Sequence, residues 1–533
     1  MDRATREERT EAAVPNVFAG DEEDVETANV PKTLREITHE EVAQFITSLH
    51  ESIMAEDVDR IRSLYERHYR RLSDKYFKEK TWPEPQKVAK IIDEGLFQIL
   101  YRELFYRHIF IKLRKPVLAD RHSAYENYIS LFTFILDADA PVPFELPDQW
   151  LWDIIDEFVY QFEGFVQHKG YKAHKQAYPE DWDVKVVFNV LHQLITRSRI
   201  NEQLEAFQRG DNPADVADEF GNHPLYRMLG YFSLVGSLRL HTLMGDYRQA
   251  LEAVRNIDLS KPKLISNVLT CQVTIYHQVG FCYLMSRRYH DAIGRFEDIL
   301  YYTRSTDTQN MYYSDYHTIR SKCEHITALL ALAHAMEDGA VKDMYRAESE
   351  NLRKAADGDE EAAAALFKKG APKFVEPSVM FASLDGSDEV ADAASDDTAS
   401  SSSKLATDTQ LQVFLRDFRR RKNMVNIRSY LKLYESLKIS KLASLLGKDE
   451  DELRLHLHAH KRRTNQLVWS AGKQPLAGTR QCADTLDFYI DGDTIHVASI
   501  TVSQGHGEKL LQATQRLMQD PRKEATRFLR TRK

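Results

Sequence analysis

Cysteine is scarce: Cys271, Cys282, Cys323 and Cys482 are the four in a chain of 533 residues, and none stands in a CxxC pair. This excludes a disulfide framework and a cysteine-type zinc site, and it predicts reduced, mostly packed thiols. Long apolar runs are missing as well. Hydrophobic residues make up 43% of the chain, yet they never gather into the roughly 18 uncharged residues that a membrane-spanning helix needs. The first thirty residues carry neither the apolar core of a secretory signal nor the acid-poor, Arg-rich make-up of a mitochondrial presequence, so the expected location is the cytoplasm or the nucleus, with the cytoplasm preferred.

Catalytic signatures are absent too. There is no GxxxxGK[ST], no GxGxxG after a strand, no GxSxG and no HExxH. His50-Glu51-Ser52-Ile53-Met54 lacks the second histidine, and Gly505-His506-Gly507-Glu508-Lys509 lacks the spacing and hydroxyl of a phosphate loop. His456 and His460 stand four apart on a predicted helix, with His458 between them, but no third ligand is evident. The expectation is therefore no enzyme, no catalytic residue, no cofactor, no metal and no small-molecule substrate.

What is present is an uneven distribution of charge. The net charge is −9, but residues 404–533 carry 25 Lys and Arg against 14 Asp and Glu, a surplus of +11, which leaves −20 for residues 1–403. Such asymmetry points to a basic C-terminal module that meets something acidic, whether RNA, a ribosomal surface or an acidic protein; a solvated basic surface accounts for the same balance.

Residues 1–36 are acidic and poor in apolar side chains, which predicts a disordered tail. Thr38 and Glu41 form a capping-box pattern ahead of Val42, Phe45, Ile46, Leu49 and Ile53 at helical spacing. The same period continues through an N-terminal helical domain (37–222), including one helix expected from Val88 to Ile99, and no strand is expected before residue 480. Repeats follow at 223–382. LHTLMGDYRQALEAV and GFCYLMSRRYHDAIGRFEDIL share the offsets Tyr-x-x-Ala-x-x-x-apolar through Tyr247, Ala250 and Val254, then Tyr289, Ala292 and Phe296. A small Ala lets paired helices approach while an aromatic fills the gap to the next, which is tetratricopeptide-like logic. The tyrosines at 301, 302, 312, 313 and 316 read as core between repeats, with base stacking as the alternative.

Residues 383–409, rich in Asp, Ser and Ala, are expected to be a flexible linker. Beyond it, residues 410–502 read as a winged helix. Helices are expected at Val413–Phe418 and Ile427–Tyr434, a short one at Ile439–Leu446 ends at Gly447, and another opens at Asp449 and Glu450; Leu486–Ile490 and Thr494–Ala498 then flank the hairpin signal Asp491-Gly492. A last amphipathic helix and basic tail occupy 503–533. Arg419, Arg420, Arg421 and Lys422, together with Lys461, Arg462 and Arg463, are candidate contacts to RNA or the ribosome. Leu453, Leu455 and Leu457 on the same recognition helix suit a protein partner better than DNA.

The expected fold is thus mainly α: a right-handed, TPR-like helical array running into a winged helix with a small β-hairpin wing and a C-terminal helix. This architecture resembles the PCI-domain proteins, scaffold subunits of the proteasome lid, the signalosome and translation initiation factor 3. The segments GYFSLVGSLRLHTLMGDYRQAL, IYHQVGFCYLMSRRYHDAI, APKFVEP, QLVWSAG and DFYIDGDTIHVA look like those of a PCI subunit of eukaryotic initiation factor 3, across about residues 37–500. The resemblance implies a PCI domain at about 305–511 and a non-catalytic scaffold subunit of that factor. Its implied partners are the other PCI and MPN subunits and the small ribosomal subunit, with RNA as a further candidate and no membrane. It also implies that the wing strands, through Phe488, Ile490, Ile495 and Val497, and the last helix, through Leu510, Leu511 and Leu517, are protein-interface residues. The alternative function is an RNA-binding module acting through the basic winged helix and tail.

Overall fold

Apolar side chains at three- and four-residue spacing wind most of the chain into helices, and aspartates repeatedly open them. Asp57, Asp183, Asp246, Asp359 and Asp449 each accept a backbone N–H of the first helical turn. The computed structural model describes residues 31–112, 117–166, 183–259, 268–305, 313–337, 354–355, 358–375, 398–470, 474–482 and 486–499. Among them no helix is long and apolar enough to cross a membrane.

The first of two units holds the described residues up to Leu131 together with Val142–Pro147. Its helices are α1 (Lys32–Ile37), α2 (Glu40–Met54), α3 (Val58–Ser63), α4 (Tyr69–Tyr76), α5 (Pro85–Ala89), α6 (Gly95–Lys112) and the start of α7 (Leu118–Leu136). Helix α1 therefore lies ahead of Thr38, inside the expected tail, whose residues 1–30 lie outside the described residues. The capping box does not form: His39 takes the N-cap of α2 with no side-chain cap bond, and Glu41 pairs with Lys75 at 2.7 Å instead. The helix expected from Val88 to Ile99 divides at Asp93-Glu94, polar residues that favour a turn before Gly95. Phe45, Phe77 and Trp82 form the aromatic core, with ring centroids 5.5 and 4.9 Å from Trp82.

The second unit carries the rest. α8 (Asp148–Val166), α9 (Val184–Ser198) and α10 (Ile200–Arg209) lead through the short α11 (Glu219–Asn222) into α12 (Pro224–Leu243). Arg239 on α12 reaches Asp156 at 2.7 Å and Glu163 at 2.6 Å on α8, a partly buried ionic tie between the two helices. The repeat pairs follow as α12 with α13 (Tyr247–Ala253) and α14 (Leu269–Met285) with α15 (Tyr289–Ser305). Ala250 and Ala292 are fully buried, as the repeat pattern requires. Gly280 is the closest approach in the second pair: a Cβ there would stand 2.3 Å from the ring of Phe296. Next come α16 (Tyr313–Glu337) and α17 (Glu360–Gly370).

A 34-residue helix, α18 (Thr398–Leu431), then crosses from the repeats to the winged helix. It corrects two expectations. The linker 383–409 is helical from Thr398 onward, and the two helices expected at Val413–Phe418 and Ile427–Tyr434 are parts of this one helix, which stops at Leu431. The physical reason is packing: Leu411, Phe414, Leu415 and Phe418 recur at helical spacing and are buried, with the Phe414 ring 5.1 Å from Phe367 of α17. Residues 376–397 lie outside the described residues.

The winged helix comprises the end of α18, β1 (Ser436–Lys438), α19 (Ile439–Leu446), α20 (Glu450–Thr464), β4 (Leu486–Asp491) and β5 (Thr494–Ser499). Gly447, at φ 62°, closes α19 where the sequence placed its end. Its sheet runs β1-β5-β4, both pairings antiparallel. A separate hairpin, β2 (Asn465–Val468) with β3 (Thr479–Cys482), is inserted between α20 and β4. β1, β2 and the start of β3 correct the expectation of no strand before residue 480; β1 and β2 are three and four residues long and carry too little alternation to stand out.

Candidate interaction surface of the winged helix

The module is built around Ile427 and Leu431 of α18, Leu437, Ile439 and Leu442, Leu453 and Leu457 of α20, and Leu486, Phe488 and Ile495 of the sheet. Alternation along β4 sets Leu486, Phe488 and Ile490 on this core and leaves Tyr489 59% exposed on the other face. There its ring stacks on His496 of β5 at 4.9 Å. Of the four wing residues singled out in the sequence, Phe488 and Ile495 are buried, while Ile490 and Val497 are partly buried against the same core. Their side chains serve the module's interior, so any contact the wing makes with a neighbour falls to its backbone edge and its Tyr489 face. β5 lies between β1 and β4 and is no edge; β1 and β4 are the outer strands, and β4, six residues against three, is the longer.

The direction of the β4 main chain follows from the register. Val497 sends its N–H to Glu435 O on the β1 side at 2.8 Å, and Val497 is opposite Phe488. The Phe488–Val497 pair is therefore of the non-hydrogen-bonded kind, and the main-chain groups of Phe488 point outward. Two residues on, those of Ile490 do the same.

Helix α20 runs beside this strand. Arg454 reaches Gly492 O at 3.0 Å and pairs with Asp493, while Lys461, two turns later, donates to Phe488 O at 2.6 Å and pairs with Asp487. His460 is buried and stacks on Phe488 with centroids 5.9 Å apart, whereas His458 is exposed and His456 lies 3.7 Å from Glu452. The histidines thus turn to different surroundings. Leu453 and Leu457 are core, so Leu455, 70% exposed, is the one leucine of the three that faces outward.

The seven candidate cations are not one patch. Arg419 forms a forked pair with Glu360 of α17, both contacts 3.0 Å from Nε. Arg420 is 3.7 Å from Asp417, and that carboxylate is shared with Arg287 of the repeats at 2.6 Å. Arg421 and Lys422 lie on α18, and their side chains lie outside the described residues. Lys461 is on the wing edge, Arg462 is exposed, and Arg463 reaches back to Asp417 O and Met336 O at 3.5 and 3.4 Å. Tyr289 sits under the Arg463 guanidinium, 5.9 Å from its ring centre, and burial pushes its phenol up to about 12. Tyr301 is half exposed on α15. Leu510, Leu511 and Leu517 lie outside the described residues.

A latch between the inserted hairpin and the repeats was not foreseen. Arg288, just ahead of α15, and Asp291 in its first turn, 7% and 4% exposed, pair at 2.7 Å. From this buried pair, Arg288 donates to Pro475 O at 2.9 Å and Ala477 O at 3.1 Å, and Asp291 accepts the Trp469 N–H at 2.9 Å. Tyr283 adds its hydroxyl to Pro475 O at 2.8 Å, and the Arg295 guanidinium covers the Trp469 ring at 4.5 Å. The signal available in the sequence was the Arg-Arg-Tyr-x-Asp run at 287–291, whose charges follow closely on the apolar stretch Phe281–Met285.

Comparison with known proteins agrees with this architecture. The family described as RNA polymerase I-associated factor PAF67 matches residues 120–517. The chain is similar to "Eukaryotic translation initiation factor 3 subunit L" of Nematostella vectensis, 38% identical over 510 residues, covering 92% of each chain. It is 40% identical over 464 residues to the proteins of that name from Homo sapiens and Xenopus tropicalis, in each case covering 84% of this chain and 80% of the relative.

Proposed function

The chain belongs to the subunit L family of eukaryotic translation initiation factor 3, and from this we propose that it is a non-catalytic scaffold subunit of that complex in the cytoplasm. In this reading it contributes to binding of the small ribosomal subunit and to recruitment of messenger RNA and initiator transfer RNA through the assembly it helps to hold. Its direct partners are other PCI and MPN subunits. One observation carries the assembly role: in a winged helix seated on the repeats by both α18 and the hairpin latch, the outer strand β4 turns the main-chain groups of Phe488 and Ile490 away from its own sheet. An outer strand is a template for pairing with a neighbouring chain.

The test is Ile490→Pro in the full-length tagged protein. Proline removes an outward N–H and leaves the β4–β5 ladder intact, a position edge strands tolerate. Recovery of sister subunits from cell extract should drop below that of Ile490→Ala, which gives up the same core contact and keeps the N–H; recovery equal to that of Ile490→Ala refutes the edge as an assembly surface. Arg419 is exposed, but its guanidinium is taken up by the forked pair with Glu360, so the RNA-binding alternative rests on Arg420 and Arg462, which are exposed too. Reversing both should flatten the dependence of log RNA affinity on log salt if RNA is held there.

A further inference from the structure

Strands at sheet edges are a hazard before they are a tool, because an open row of N–H and C=O groups accepts any chain, including a second copy. In this winged helix one outward position of β4 is already occupied from within. Asp487 Oδ1 accepts the N–H of Phe488 at 2.8 Å, and Lys461 Nζ donates to the carbonyl of Phe488 at 2.6 Å. Lys461 and Asp487 then pair with each other. Together the two side chains make the donor and acceptor contacts that a neighbouring strand would make to that residue. Ile490, the next outward position, has no such contact among the described residues.

The placement of Lys461 is specific. Its neighbour His460 is buried against the Phe488 ring, which fixes the turn of α20 beside the strand. Two turns earlier Arg454 engages Gly492 O and Asp493 at the hairpin tip, so the helix is tied to the strand at both ends and Lys461 reaches round to the edge. Both members of the plug remain partly open to water, at 40% and 31%. An ion pair this open to water is weak, so a well-matched strand can displace it.

We propose that Lys461 and Asp487 form a removable plug on the edge of β4, which keeps a second copy of this chain from adding to the sheet and gives way to the cognate strand. The proposal rests on the reading of β4 as an assembly edge. Its test uses the purified full-length chain in sedimentation velocity over a concentration series, as the parent, Lys461→Met and Asp487→Ala. Either variant should self-associate at a concentration at least about tenfold lower than the parent, equivalent to one decade in affinity. Adding Ile490→Pro should return the Lys461→Met protein to parental behaviour. Should Lys461→Met melt early, Asp487→Ala, which leaves α20 untouched, supplies the reading. Parental self-association in a variant that melts like the parent overturns the plug, and so does self-association that Ile490→Pro leaves in place. Recovery of sister subunits with Ile490→Pro alone reports on the assembly edge separately. Lost recovery with no change in self-association defeats the plug and keeps the edge; the reverse pattern defeats the edge as a site for sister subunits and keeps the plug as a guard against self-pairing.

Discussion

Replacing Arg288 with Ala should release the inserted hairpin from the repeat array. The guanidinium is 7% exposed and Asp291 beside it 4%, so truncation leaves a carboxylate with little water and removes the donor from Pro475 O and Ala477 O. Breaking a buried pair from one side costs about 3–5 kcal/mol when the remaining charge stays buried. Here a cheaper route exists: Pro475–Ala477 can lift off and let water reach Asp291, so the loss should appear as local opening before global unfolding. Taking about 3 kcal/mol as the docking contribution, amide exchange across residues 465–482 should rise roughly a hundredfold. Hydrogen exchange read by mass spectrometry resolves this, because the amides of α12 and α14 provide an internal reference. Arg288→Lys keeps the charge without the fork and should fall between the two. Exchange within about threefold of the parent, a gap of well under one decade, would refute the latch.

Two further outcomes follow from the same packing. Gly280→Ala forces a Cβ into the Phe296 ring, a fully buried neighbour that has nowhere to swing, and should cost about 1–3 kcal/mol in thermal unfolding, with Phe296→Leu in the same chain recovering part of it. Burial holds the His277 imidazole at about 4, against an ordinary 6.5, although it bonds to Gly370 O at 2.9 Å. Its folded form is depressed, so the unfolded chain takes up the proton first: the contribution is complete above 6.5 and fades as pH falls toward 4. The residue is partly open to water, so the loss should be about 2 kcal/mol. Unfolding followed from pH 7 to pH 4 should show that slope, and His277→Gln, which keeps a donor for Gly370, should flatten it.

Most of the fold was legible because it is written in local periodicity. Ala250 and Ala292 mark helix pairs, Gly447 and Asp449 mark the turn between α19 and α20, and Asp491-Gly492 marks the hairpin, each a short-range signal with a mechanism. The errors came where long-range packing overrides composition. Thr398–Thr409 reads as linker by its serines, yet it heads a helix whose later turns bury Leu411, Phe414 and Phe418 against the repeats. The candidate site was legible as an element and not as atoms. Phe488 and Ile495 stood out because they are apolar, and for that reason they are core; the outward features of the strand are backbone groups that carry no sequence signature.

The same reasoning accounts for the scattering of the cations. The surplus of positive charge in residues 404–533 is spread among cations with different partners, and ion pairs of both polarities close between the two regions. Arg419 meets Glu360, Lys368 meets Asp408 at 3.2 Å, and Arg287 crosses from the repeats to Asp417 on α18. Each pair joins the repeat array to α18, two with the cation on the array and one with it on α18, so local pairs of both polarities align the long helix on the array while Phe367 and Phe414 supply the apolar contact. With α18 fixed along its length and the inserted hairpin held at Arg288, the winged helix is attached at two separate places, and rotation about either one is opposed by the other. A strand edge can be aimed at a neighbour only if its carrier does not swivel. With β4 proposed as an assembly edge, the internal ion pairs would bear on assembly by fixing the direction in which β4 points, since they lie within the chain.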